Sequence, residues 1–345
     1  MKKINFILKE CTSLRYFIPV VEEALKRNIQ SNFFIGKSNK YNCPYIQKNK
    51  KELIDLATMF NINLYDLYKE KITKNHSPVT IITEGVGIEH LNKELLNISM
   101  SSMTDFTISY KNYIDYVDYV LLPSKFMAEY YHDMKVYPID NTPAGGTLTD
   151  KNVYFGSTKY DIDLSRFSYP SKVKSNIKKI IIFAPNNNDF ASYKIFSKLL
   201  NMFNSFDDYH VTVKSRGKHR VPNSLRGDSY HEDTHWFPHT SLVLLNEADL
   251  AIMFGSTVTK ECIMINKPYI NIDLKVFKHL KFLKDKCCLR IESEKEIDYN
   301  DFKLTCDNLI KTNWTNNFAN LRKKYLFENS NVSSKLLDFC IENIK

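Results

Sequence analysis

Three groups of residues in this chain combine chemical type and spacing in ways that suit chemistry. The first is Gly255-Ser256-Thr257, which ends the apolar run Leu250 to Phe254 and opens a short amphipathic segment closing at Asn266-Lys267-Pro268. A glycine and two hydroxyl residues at a strand-to-helix turn leave backbone N–H groups open to a ligand, and that setting suits a phosphate. Glu261 follows Thr257 by four residues, one helical turn, so both would face the same ligand. Read for structure alone, Ser256 or Thr257 caps the helix. Lys214 and Arg216, behind another apolar run, would counter phosphate charge or stay solvated at the surface.

The second group is Thr83-Glu84-Gly85-Val86-Gly87-Ile88-Glu89-His90, directly after the run Val79 to Thr83. A carboxylate at Glu84, or the imidazole of His90, could take a proton from a hydroxyl group. The two glycines permit close approach of backbone to ligand, or simply make a turn. The third group, His231-Glu232-Asp233-Thr234-His235, matches the H-E-x-x-H zinc pattern. Asp228, Ser229 and Asp233 surround it, Pro238 follows, and no apolar helical face is visible; His239 has the wrong spacing for a third ligand. We therefore expect no metal here, but a loop near a nucleobase with Trp236 or Phe237 packing on it.

The elements that must position these residues alternate between short apolar strands and amphipathic helices. Strands are expected at 4–8, 31–36, 79–83, 117–122 and 153–155, and helices at 17–27, 51–60 and 125–132. Residues 157–179 are polar and basic, carry Pro170 and show little periodicity, which places a domain boundary with a linker at 166–179. A second alternating unit follows, with strands at 180–184, 210–214, 250–254 and after Pro268, helices at 193–203 and 241–247, and a helical tail from Asp301. The pattern predicts an α/β protein of two doubly wound, Rossmann-like domains, 1–165 and 180–345, facing a cleft. Ligands would lie at the carboxyl ends of strands, after Thr83, Leu122, Ala184, Lys214 and Phe254. Tyr110, Tyr113, Tyr116 and Tyr119, three residues apart, read as a core or interdomain face rather than a sugar-stacking platform.

A length of 345 residues fits two domains of roughly 150 residues. With 43% hydrophobic and 13% aromatic residues, global disorder is excluded. Lys and Arg exceed Asp and Glu by 48 to 39, which favours anionic partners, although a Lys- and Asn-rich composition also follows from the coding genome alone. No arginine stripe or zinc-finger spacing points to a nucleic acid, whereas peripheral association with an anionic membrane through the basic surface is compatible. The seven cysteines form no C-x-x-C pair, so a reduced, cytoplasmic setting is expected. No apolar stretch approaches the ~20 residues of a membrane span, and the first apolar run is too short for a signal peptide. The sequons at Asn97, Asn313 and Asn331 would matter only in a secretory lumen.

Taken together, Asp249-Leu250, Gly255-Ser256-Thr257, Glu261 and Lys267-Pro268 resemble the donor-domain signature of GT-B glycosyltransferases, nearest to the branch of CDP-glycerol glycerophosphotransferases and surface-polysaccharide transferases. Tyr154 to Asp161, Phe183-Ala184-Pro185-Asn186 and Val213-Lys214 fall in a similar order, and the resemblance spans about residues 79–273. It implies a metal-independent transferase without a bound cofactor, moving a sugar or glycerol phosphate from a nucleotide-activated donor to a hydroxyl of a glycan or other acceptor. By that resemblance Ser256 and Thr257 hold the donor diphosphate, Glu261 the ribose hydroxyls, and the first domain presents the acceptor. That branch has a His-Gly pair as base where this chain has Glu84-Gly85. A non-hydrolysing nucleotide-sugar epimerase is the alternative enzyme, although residues 6–15 lack the Gly-Thr-Arg-Pro-Glu opening associated with those enzymes. A catalytically silent nucleotide-sugar-binding protein is the alternative outside enzymes.

Overall fold

The computed structural model describes the chain except for residues 38–42, 101–112, 135–148, 170–172, 174–175, 187–188, 216–219, 234, 276–284 and 326–330. Arg216, Tyr110 and part of the H-E-x-x-H run therefore lie outside the described residues. The chain divides into two compact units, residues 1–162 with 235–237 and 323–345, and residues 163–234 with 238–322.

In the first unit the apolar runs become β1 (Lys3–Leu8), β2 (Gln30–Ile35), β4 (Val79–Thr83) and β6 (Tyr119–Leu122), joined by β3 (Asn63–Asp66), β5 (Leu96–Met100) and β7 (Asn152–Tyr154). Every pairing is parallel, in the order β3-β2-β1-β4-β5-β6-β7. Crossovers include α1 (Leu14–Lys26), α2 (Gln47–Met59) and α3 (Lys125–Met134). Phe6, Phe17 and Phe33 are fully buried and meet with ring centroids 5.0–6.0 Å apart, which clamps α1 onto β1 and β2. A row of polar side chains runs in register from the sheet edge into this core: exposed Asn63 and buried Asn32, Asn5, Thr80 and Asn97 sit opposite one another across five strands. The Asn32 amide donates to Asn5 Oδ1 at 3.0 Å and to the His76 carbonyl at 3.1 Å, and accepts from Asn63 at 2.9 Å.

The last helix, α9 (Val332–Glu342), packs on α1, where Arg27 pairs with Asp338 and with Glu23 at 3.0 Å. Although it follows the second sheet in the chain, this helix spends its apolar face on the first unit.

The second unit carries β8 (Lys178–Phe183), β9 (Tyr209–Lys214), β10 (Ser229–His231), β11 (Leu250–Phe254), β12 (Tyr269–Ile272) and β13 (Cys288–Ile291). These are parallel throughout, in the order β10-β9-β8-β11-β12-β13. On one face α4 (Phe190–Phe203) and α7 (Phe302–Lys311) bury a continuous aliphatic and aromatic core with Ile180, Val211, Ile252 and Ile270. The unit also holds α5 (Thr240–Glu247), α6 (Val258–Met264) and α8 (Thr315–Tyr325). The architecture is α/β with two Rossmann-like parallel sheets. All seven cysteines are buried free thiols, and no helix among the described residues is long and apolar enough to cross a membrane.

Removing the amide that joins three strands tests the polar row. Asn32→Ala is expected to destabilise the first unit by about 1–3 kcal/mol, because Asn5 loses a partner inside the core. Denaturant unfolding followed by circular dichroism would show the shift in midpoint.

Candidate functional site

In each sheet the strand order reverses once, between β1 and β4 and between β8 and β11. Loops leaving the carboxyl ends of those strands diverge and open the crevice in which doubly wound sheets hold ligands. The two turns selected from the sequence leave these same strands: Glu84 to His90 follows β4, and Gly255 to Thr257 follows β11.

In the second unit Gly255 takes a left-handed conformation (φ 50°), and its N–H donates to the Ile272 carbonyl at 3.0 Å, turning the chain sharply off the sheet. Buried Ser256 accepts the Val258 N–H at 3.3 Å and so caps α6, whereas Thr257 is exposed and makes no capping bond. Glu261 is 6% exposed although it is a carboxylate. The rest of the motif is architectural. Asp249 Oδ2 accepts the Lys179 N–H at 2.8 Å and ties β11 to β8, and the Lys267 ammonium donates to the Ala248 carbonyl at the end of α5.

Lys214 does lie at the carboxyl end of β9, but its ammonium is 2.6 Å from Asp233 Oδ1, with side chains 5% and 16% exposed. A phosphate would have to compete with that carboxylate. His239 Nε2 lies 3.8 Å from the same oxygen. His231 ends β10, and Glu232 and Asp233 continue outside any helix, so the two histidines of the zinc pattern do not share a helical face. Trp236, expected near a nucleobase, is held by contacts within the first unit. Residues 235–237 belong to the first unit, where the Trp236 and Phe237 N–H groups both donate to Glu52 and the indole donates to Asn49 at 3.4 Å. Sequence reasoning missed the pair formed by Asp273, just past β12, and Arg290, within β13, 2.8 Å apart with side chains at most 1% exposed. The signal was a charged residue closing one apolar run, at Asp273, and interrupting another, at Arg290.

In the first unit Glu84 adopts φ 48°, a left-handed conformation that costs a non-glycine residue roughly 1–2 kcal/mol. Its N–H donates to the Met100 carbonyl at 2.9 Å, and Gly85 N–H reaches Ser99 Oγ at 3.3 Å, which hold the turn against that cost. Gly87, at φ 94°, sits where a Cβ would come within 2.6 Å of Ile7. His90 closes the turn beside Glu89 (3.4 Å), and Lys9 pairs with Glu89 at 2.6 Å. Burial, and then Lys9, push the His90 imidazole below its usual pKa against the pull of Glu89, so it is neutral near pH 7. With Glu70, Lys71 and Asn92 it lines a polar cavity of about 400 Å³.

No known family matches the sequence, and no curated protein does. The fold does match solved structures. The glycotransferase of kitacinnamycin shares 10% identity, covers 100% of this chain and 99% of its own, and superposes with a TM-score of 0.61. The UDP-GlcNAc 2-epimerase from Neisseria meningitidis bound to UDP-GlcNAc shares 12% identity over 99% and 100%, at 0.55. The wall teichoic acid polymerase TagF shares 10% over 99% and 89%, at 0.59. The fold is the GT-B fold of glycosyltransferases and nucleotide-sugar epimerases.

Two outcomes follow from the buried charges. Asp233→Ala strands the Lys214 ammonium and is expected to cost about 3–5 kcal/mol, more than Lys214→Met/Asp233→Leu together, as read from denaturant midpoints. His90, His231 and His235 all have pKa values lowered first by burial. The unfolded chain therefore binds more protons near its own histidine value of about 6.5, so stability is full above that pH and falls below it. Melting temperatures across buffers from about pH 7.5 to 5.5 should decline, and less steeply for His231→Phe.

Proposed function

We propose that this protein is a GT-B transferase that moves a sugar, or a glycerol phosphate, from a nucleotide-activated donor to a hydroxyl acceptor in glycan or polysaccharide synthesis. The observation that carries the reading is a buried carboxylate, Glu261, one helical turn beyond an exposed hydroxyl, Thr257, on the loop that leaves the switch strand β11. Glu261 would accept hydrogen bonds from the paired ribose hydroxyls. Ser256 and Thr257, placed by the turn at Gly255, would set backbone N–H groups against the diphosphate. With only seven residues in α6, those hydrogen bonds matter more than its dipole for the charge that grows on the leaving diphosphate. In this reading Lys214 tunes the edge through Asp233, and Glu84, or His90 in its neutral form, takes the acceptor proton. Residue for residue, the glycerophosphotransferase branch is favoured by the order of motifs, and the likeness to TagF is in keeping with it. A 2-epimerase would use the same donor edge; the Neisseria enzyme supports that second reading through fold alone.

A thermal-shift panel of UDP-, GDP-, CDP- and CMP-linked donors tests the donor edge. The matching donor at one hundred times its Kd should stabilise the chain by about 2.7 kcal/mol, raising the melting temperature by several degrees. Glu261→Gln is expected to weaken that donor about tenfold or more, which is roughly 1.4 kcal/mol. Glu84→Gln should retain binding while transfer falls. The reading fails if no donor stabilises the wild type, and product analysis without acceptor separates transferase from epimerase.

A further inference from the structure

Parallel strands covered on both faces read as unbroken apolar runs. β8 and β11 do so, with Ile180 to Phe183 and Leu250 to Phe254 buried throughout. β9 and β10 do not. In β9, Tyr209, Val211 and Val213 enter the core under α4 and α7, while His210 and Thr212 alternate onto the opposite face and are half-buried. β10 repeats this, with Tyr230 packed on that core and Ser229 and His231 turned away. Over this polar face stand Tyr169, Val173 and Ile177 of the linker and Leu244 and Glu247 of α5, enclosing a cavity of about 630 Å³. That volume falls in the range of roughly 300–1,000 Å³ typical of small-molecule sites.

The polar groups lining it are held in place. His210 Nε2 is 2.9 Å from Ser229 Oγ, and Asp228 Oδ2 accepts the Val211 N–H at 2.7 Å. Gly227, at φ 62°, makes that last bond reachable, since a Cβ there would lie 2.6 Å from the Val211 carbonyl oxygen. Asp228 stays 3.8 Å from His210 Nδ1, too far for a hydrogen bond, so the three residues are not a proton relay for a serine nucleophile. Glu247 accepts the Tyr169 N–H, and the Tyr169 ring lies 4.9 Å from that of His231. Burial and then Lys214 lower the His231 pKa, which leaves it neutral, able to donate and accept. Asp228 and Glu247 each commit one oxygen to a backbone donor, and Lys179 also lines the cavity.

Carboxylates disfavour an anion, whereas hydroxyl, imidazole and carboxylate groups beside an aromatic ring and aliphatic walls suit a neutral ring bearing hydroxyls. We propose that this cavity is a binding site for a neutral saccharide, with sugar hydroxyls bonded to Ser229, His231, Asp228 and Glu247 and a C–H face against Tyr169 and Leu244. It shares no lining residue with the 255–261 turn, and it does not rest on the donor reading.

Saturation-transfer NMR on the full chain, with glucose, galactose, mannose, N-acetylglucosamine and maltose, tests it. At least one sugar should receive transfer that persists in excess UDP. Ser229→Val and His231→Phe should each weaken that sugar by about fivefold or more, the loss of roughly one hydrogen bond, while melting temperatures confirm that the variants are folded. Silence from every sugar, loss of transfer on adding UDP, or wild-type transfer in either folded variant overturns the proposal.

Discussion

A parallel sheet cannot be closed by hairpins, and both units are built from parallel sheets alone. Each strand must be returned by a crossover, the crossovers cover the faces, and over the central strands both faces are consumed by core. For those central strands what remains for chemistry is the carboxyl edge, above all where the strand order reverses. Glu84 and Gly255 stand at that place in their respective sheets, and both hold positive φ. For Gly255 the conformation is free of steric cost. For Glu84 it is strained, and hydrogen bonds from the neighbouring strand β5 maintain it.

Burying both faces also makes any polar residue in the sheet costly unless it is bonded, and that cost gives such residues a use. The Asn63-Asn32-Asn5 chain of amides crosses the first sheet in register, so a one-residue slip would unpair every member. In the second unit, Lys214 with Asp233 and Asp273 with Arg290 do at the carboxyl edge what the amides do in the core. Their rigidity is what a preorganised site requires, and it is gained at the expense of charge that a ligand could otherwise use.

Several motif residues turn out to hold the fold together. Asp249 ties β11 to β8, Lys267 closes α5, and Thr158 donates to the Tyr16 carbonyl at 2.8 Å to fasten the end of the first sheet to α1. Identities of 10–12% with solved GT-B structures fit this picture, since such contacts depend on geometry that many side chains can provide.

The sequence by itself determined the α/β class, the two sheets and the strands β1, β4, β8 and β11, because central parallel strands are apolar on both faces and announce themselves. It also singled out the two switch-strand turns, since glycine beside hydroxyl or carboxylate residues after such a strand has few other uses. It did not reveal β3, β10 and β13, which are short edge strands, nor β5, whose Asn97 and Ser99 look like loop residues until their hydrogen bonds are seen. Only the tertiary structure decided that Asp233 neutralises Lys214, that Trp236 packs beside Glu52, and that α9 belongs with α1. Each of these depends on a partner 19 to 311 residues away, and no local periodicity encodes which distant group will fill a given space or balance a given charge.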